Sequence, residues 1–384
     1  MTRSYTVLML VTAAAIAVPR AGQAQERLAL VARLGVDTVA VERITRTPGV
    51  LEAEVVIRSP RTSLLRHRLE TDPAGNLRTL EAVVLDPATG AVQRRTTYTR
   101  VDDSLRIEEV QGERQTSRMV AAPDATLPFI DLVHWPFDMA LRRLRASGAS
   151  SIAAPMLSGN RASGFPLAFQ GGDSATITHP SRGTMRLQVA PDGGIVTLDA
   201  GATTRALIVA RGEWPDVPAL AREYAARDAA GRGVGELSGR GRTEKSVLGA
   251  EFLIDYGMPL KRGREIWGAL VRYGQLWRTG ANLATHFTTS RDLRFGDLVV
   301  PAGTYTLYSI PEADGGLLII SSQTGQNGQS YDPARDLGRV RLRGRPLGEV
   351  VEPFTITVDE ENGRGILRLQ WDRTELVAEF DVVR

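Results

Sequence analysis

The chain has 384 residues, a formal net charge of +3 and no cysteine, so neither disulfides nor thiolate-bound metals contribute to its fold. Charges of both signs nearly balance, and the basic residues are almost all arginine, with only Lys245 and Lys261 as lysines. That composition excludes a general binder of nucleic acid or of anionic membranes.

At the amino end, Met1-Thr2-Arg3 is a short basic region, and residues 5–18 form an apolar run rich in Leu, Val and Ala. The small-residue stretch Ala21-Gly22-Gln23-Ala24 then offers a cleavage point after Ala24. This layout predicts a secretory signal over residues 1–24, too short for a spanning helix. Its removal would take Arg3 and Arg20 and leave the mature chain near +1. No cysteine follows the run to carry a lipid, and no later apolar stretch is long enough to cross a bilayer. The expected location is periplasmic or secreted.

A chain of this length is expected to divide into two domains. The first is read as residues 26–230, an antiparallel β-meander domain with two helices. Alternating segments at 38–44, 50–57, 64–70, 77–85, 92–99 and 105–110 are separated by turn signals such as Asp72-Pro73-Ala74-Gly75-Asn76. Between 129 and 144, Ile130, Val133, Phe137, Leu141 and Leu144 fall at helical spacing, with Pro136 breaking or restarting the helix. Strands return at 176–178, 185–189, 195–198 and 207–210. A second helix is expected over 218–228, capped by Asp216 and carrying Pro218 in its first turn.

Five glycines fall between Gly231 and Gly241, and residues 231–242 read as a flexible joint. Beyond it, 243–384 contains strands at 247–256, 284–290, 305–310, 317–321, 339–343, 354–358, 366–371 and 376–382. That is the inventory of a β-sandwich or jelly roll. The fold class is therefore mainly β in both domains.

One stretch stands apart. Residues 255–285 pack two Trp, two Tyr, five Gly and four Arg around Tyr273-Gly274 and Trp277-Arg278-Thr279-Gly280-Ala281-Asn282. Together with Pro301-Ala302-Gly303-Thr304-Tyr305-Thr306-Leu307, Ile310-Pro311 and Tyr331-Asp332-Pro333, these motifs resemble the bacterial domain-of-unknown-function family 2911. The resemblance covers the last 145 or so residues and does not extend before about Gly235. It implies an exported bacterial protein with a β-rich domain and brings no established reaction. One departure is Leu283, where the family pattern usually has an acidic residue.

The candidate binding residues are Asp255, Tyr256, Arg264, Tyr273, Trp277, Arg278, Asn282 and Thr285. Arg264 and Arg278 are planar donors suited to a carboxylate, either an internal one such as Asp255 or one on a ligand. Trp277, Trp267, Tyr273 and Tyr256 would make an aromatic floor under a sugar or peptide, or else fill the sandwich core. Asn282 offers both a donor and an acceptor.

Stronger chemistry is missing. His67, His134, His179 and His286 are not at metal-ligand spacing, so no metal or cofactor is expected. Gly239 to Ser246 fails as a phosphate loop because Glu244 stands at a required glycine and a strand follows. No nucleophile elbow is present. The leading reading is a non-catalytic binding module for a small polar ligand, a glycan or a partner protein. Two alternatives are a hydrolase using Asp255, Asp332 and Asp336, and an acyl-chain carrier built on the first domain.

Overall fold

The computed structural model describes residues 25–383; the expected signal, 1–24, lies outside them. The chain is mainly β, with one large antiparallel sheet in its N-terminal region and a separate sheet in its C-terminal region.

The large sheet begins as a meander of hairpins: β1 (Glu26–Leu34), β2 (Asp37–Thr47), β3 (Val50–Ile57), β4 (Ser63–Thr71), β5 (Leu77–Leu85), β6 (Val92–Val101), β7 (Ser104–Gln111) and β8 (Arg114–Ala121). Turn chemistry explains the connections. Asp72 accepts from the backbone N–H of Asn76 at 2.8 Å, and Asp86 accepts from that of Thr89 at 2.8 Å. After β9 (Leu127–Pro128) and helix α1 (Trp135–Ser147) comes a second meander. Its strands are β10 (Ser151–Ser158), β11 (Arg161–Gly171), β12 (Ser174–His179), β13 (Gly183–Val189), β14 (Ile195–Asp199) and β15 (Leu207–Arg211). The two meanders join where β1 pairs with β15, Leu30 opposite Arg211.

One face of this sheet packs around α1. Trp135, Phe137, Leu141 and Leu144 share a core with residues of both meanders, among them Leu30, Ile44, Leu80, Ile177 and Ile195. The helix is shorter than its apolar spacing predicts: 129–134 is not helical, and Pro136 sits in the first turn, where its missing N–H costs nothing. No side chain of its own caps α1. Glu42 of β2 does so instead, accepting from the backbone N–H of His134 at 2.7 Å and of Trp135 at 3.2 Å. Asp138 inside the helix accepts from Arg46, from Arg142 Nε at 2.8 Å and from the N–H of Ile195 at 2.7 Å.

Helix α2 (Val217–Ala229) covers the other face of β2 to β5, with Val217, Ala221 and Tyr224 against Val41, Val56, Leu64 and Val83. Its cap is the one read from sequence: Asp216 accepts from Ala219 N–H at 3.0 Å.

The second sheet has nine strands: β16 (Ser238–Val247), β17 (Ala250–Pro259), β18 (Thr285–Thr289), β19 (Leu293–Phe295), β20 (Leu298–Val300), β21 (Gly303–Glu312), β22 (Gly315–Ser321), β23 (Asp336–Glu361) and β24 (Arg364–Val382). Their order is β16-β17-β18-β21-β22-β23-β24-β19-β20. β23 and β24 each merge two expected strands into one long bent strand, with register shifts between Pro346 and Thr355. The far half of β23 returns alongside β16, where Thr243 Oγ1 donates to Ile356 O at 2.6 Å and Lys245 pairs with Asp359. The sheet thereby folds over its own core.

The glycine-rich joint is also shorter than expected, because β16 begins at Ser238. Gly241 belongs to that strand, and a Cβ there would lie 2.4 Å from the Tyr256 ring. That glycine serves ring packing, not flexibility.

The two sheets meet at Arg262, which is 6% exposed. Its guanidinium pairs with Asp37 at 2.6 Å and donates to Val234 O and Glu236 O, both at 2.9 Å. Its carbonyl accepts from Val36 N–H at 3.1 Å. Gly35 has to be glycine, since a Cβ would sit 1.8 Å from that same carbonyl oxygen.

Candidate functional site

The residues between β17 and β18 form a long irregular excursion. It is pinned at Trp277, whose N–H and C=O both bond Ser309 of β21, at 2.7 and 2.8 Å. Thr279 Oγ1 donates to Ser309 Oγ at 2.9 Å, and Thr285 Oγ1 donates to Thr279 O at 2.7 Å. The chain turns sharply through Thr279 (φ 50°), Gly280 (φ 149°) and Asn282 (φ 63°). It crosses so close to β17 that a Cβ on Gly257 would lie 1.8 Å from Ala281 O. Much of this motif's unusual composition therefore builds one tight turn.

The rings form a connected cluster. Trp277 stacks on Trp371 with centroids 6.1 Å apart, and meets Trp267 and Phe354 edge-on at 5.9 and 4.9 Å. Trp267 Nε1 donates to Trp371 O at 3.0 Å. Tyr256 packs edge-on against Phe354 and is buried. The core alternative thus describes Tyr256 alone of the four rings; Trp267 and Trp277 are half-buried at the border of the core, and Tyr273 is exposed.

That border belongs to a cleft of about 360 Å³ between the two sheets. From the C-terminal side it is lined by Arg264, Trp277, Arg278 and Asn282, with Asn327 and Gln329 on the neighbouring loop. From the N-terminal side come Arg182, on the β12–β13 turn, and Arg205, on the β14–β15 loop. These two share one carboxylate, Asp131, with Arg182 Nη1 at 2.7 Å. Thr204 N–H donates to Arg182 O at 3.1 Å and holds their loops together.

Arg278 makes one contact of its own, Nη1 to Asn282 O at 3.3 Å. Arg264 donates to the carbonyls of Leu260 and Lys261. Burial pushes Arg264 down to about 10, with Arg262 nearby adding to the effect, and burial also lowers Arg278 and Arg205. All remain cationic at neutral pH.

Other expected residues lie elsewhere. Asp255 pairs with Arg240 on a half-buried strand position and contacts neither Arg264 nor Arg278, so the internal partnership open in the sequence is not formed. Thr285 and Tyr256 are buried and serve the turn and the core. Tyr273 is exposed and lies over Gly268, outside the cleft lining.

Asp332 caps a short turn by accepting from Ala334 N–H at 3.0 Å, and Asp336 accepts from Tyr331 OH at 2.6 Å. The three carboxylates of the hydrolase alternative are thus each engaged with a different partner. Among the described residues no three His, Asp or Glu side chains group as metal ligands. In the first region, the apolar recess beside Phe129 and Phe137 holds about 30 Å³, roughly the room of one water and far short of an acyl chain.

Sequence reasoning missed Arg182, Arg205, Asn327 and Gln329. Their loops are ordinary turn sequences, and only the placement of one sheet against the other brings them to the cleft.

Residues 238–380 match a known family. The matching family model is described as "Protein of unknown function (DUF2911)", and the N-terminal region has no family match. No curated protein matches the chain. Among solved structures, a DUF1089 family protein from Pseudomonas aeruginosa is similar at 15% identity and a TM-score of 0.31, over 42% of this chain and 89% of that one. The cleft lies between the family-matching region and the unmatched one, so its two walls have separate sequence contexts.

Proposed function

We propose that this protein is an exported, non-catalytic module that binds a small polar ligand in the cleft between its two sheets. The observation that carries the reading is the cleft itself. About 360 Å³ is within the range of small-molecule sites, and both sheets contribute side chains rich in hydrogen-bond donors around the half-buried Trp277. Trp277, Arg278 and Asn282 come together there, while the carboxylates of the hydrolase reading are each occupied elsewhere. Export rests on the basic, apolar and small-residue pattern of residues 1–24.

A thermal-shift screen of the mature chain against glycans, short peptides and organic acids tests the binding reading. A ligand that raises the melting temperature should lose its effect in Arg278→Ala while that variant unfolds cooperatively near the wild-type temperature. A hit that survives Arg278→Ala would move the site away from the cleft. Mass spectrometry of protein from a fractionated bacterial host tests export. A mature amino terminus at Gln25 is expected, and a cytoplasmic protein retaining Met1 would end the export claim.

A further inference from the structure

Resting on the cleft reading, we infer that the ligand is a small anion carrying at least two negative charges, held between arginines of both sheets. Four guanidinium groups line the cleft, Arg182 and Arg205 on one wall, Arg264 and Arg278 on the other. No Asp or Glu is among the lining residues. Among the described residues the one carboxylate paired with any of the four is Asp131, shared by Arg182 and Arg205, so the cleft carries an excess of positive charge.

The two walls differ in how they hold their cations. On the first, the shared Asp131 and the bond from Thr204 to Arg182 fix two guanidiniums side by side. On the second, Arg264 and Arg278 bond only backbone carbonyls; Glu352 offsets part of the charge on Arg264, whereas no carboxylate acts on Arg278. Gly328 permits that arrangement: a Cβ there would lie 2.8 Å from the Arg278 Cδ.

A half-buried guanidinium with no counter-charge is unfavourable by itself, and a carboxylate or phosphate presents the planar or tetrahedral oxygens that its fork fits. One charge would satisfy one wall, whereas two would bridge both. The uncharged donors Asn327 and Gln329 suit further ligand oxygens.

Calorimetric titration of the full chain with citrate, inorganic phosphate, acetate and glucose tests the inference. Citrate and phosphate should bind, acetate at least tenfold more weakly, and glucose not at all. Affinity for citrate should fall at least tenfold in Arg278→Gln and in Arg205→Gln, less in Arg278→Lys, and should weaken as salt rises. Leu283→Asp gives an independent handle. Its side chain is 53% exposed on the cleft rim, so the variant folds and should repel the anion.

Three outcomes would overturn the inference. The first is failure of citrate and phosphate to bind at millimolar concentration, the second is binding unchanged in both arginine-to-glutamine variants, and the third is binding unchanged in Leu283→Asp. If an uncharged ligand from the thermal-shift screen binds and is lost in Arg278→Gln, while neither anion binds, the anion class is wrong and the cleft reading stands. If nothing that binds responds to Arg278→Gln, both fail.

Discussion

The first sheet closes its core around a helix, whereas the second fills its core with contacting aromatic rings. In the first, α1 lies against both meanders and is anchored by two buried carboxylates, Glu42 and Asp138. In the second no helix contributes, and Trp277 meets Trp267, Phe354 and Trp371 within about 6 Å. A helix inside a sheet presents backbone N–H groups that need acceptors, so the first core must import polar groups. A sheet folded on itself satisfies its backbone within its own ladders and can fill the space with apolar side chains. The first region should therefore respond to removal of polar partners and to acid, the second to loss of ring volume.

The largest expected effect is in the second region. Trp371→Ala removes a side chain that is 1% exposed, and should cost about 4 kcal/mol in denaturant unfolding. A loss below about 1 kcal/mol would mean that the ring cluster is not what holds that sheet. Next comes Glu42→Ala, which leaves the N–H groups of His134 and Trp135 without their acceptor in a buried site. A loss of about 3 kcal/mol is expected, confined to the first region by hydrogen-exchange protection. Equal loss of protection in the second sheet would erase the contrast.

Acid should separate the two regions further. Burial drives His67 down to about 4 from an unfolded value of 6.5, and its Nδ1 accepts from Trp135 Nε1 at 3.2 Å. The unfolded chain therefore binds the proton more tightly. Stability contributed by neutral His67 is complete above pH 6.5 and is lost as pH falls toward 4, by up to about 3 kcal/mol. His67→Gln should flatten that part of the pH profile; an unchanged slope would assign it to another group. The smallest effect is Asp216→Ala, which removes the cap of α2 and should cost about 1 kcal/mol.

What was legible in the sequence was whatever is written locally. The hairpins from β2 to β7, the Asp216 cap and the β-rich character of both halves follow from alternation and turn residues within a few positions. β1, β10 and β11 escape such a reading; in the last two, which form a local hairpin, Pro155, Gly164 and Pro166 interrupt the strand pattern. The long strands β23 and β24 hold four of the expected strands, joined through an irregular stretch where the register shifts between Pro346 and Thr355.

For the site, Trp277, Arg278 and Asn282 could be singled out by their density of unusual residue types. Tyr256 and Thr285 carried the same signal for a different reason: the first fills the core against Phe354 and the second holds the turn through Thr279. Arg182 and Arg205 had no local signal at all, because their value comes from sharing Asp131 and facing the other sheet.

The pairing of β1 with β15 has an implication for how the molecule is born. A ribosome releases Leu30 long before Arg211, so one margin of the earliest strand stays without its partner until nearly the whole first sheet has been synthesised. During that interval a nascent chain displays a row of unpaired backbone N–H and C=O groups open to mispairing with its siblings. Cotranslational shielding, by a chaperone or by a secretion channel, would therefore matter more for this half than for the one made later.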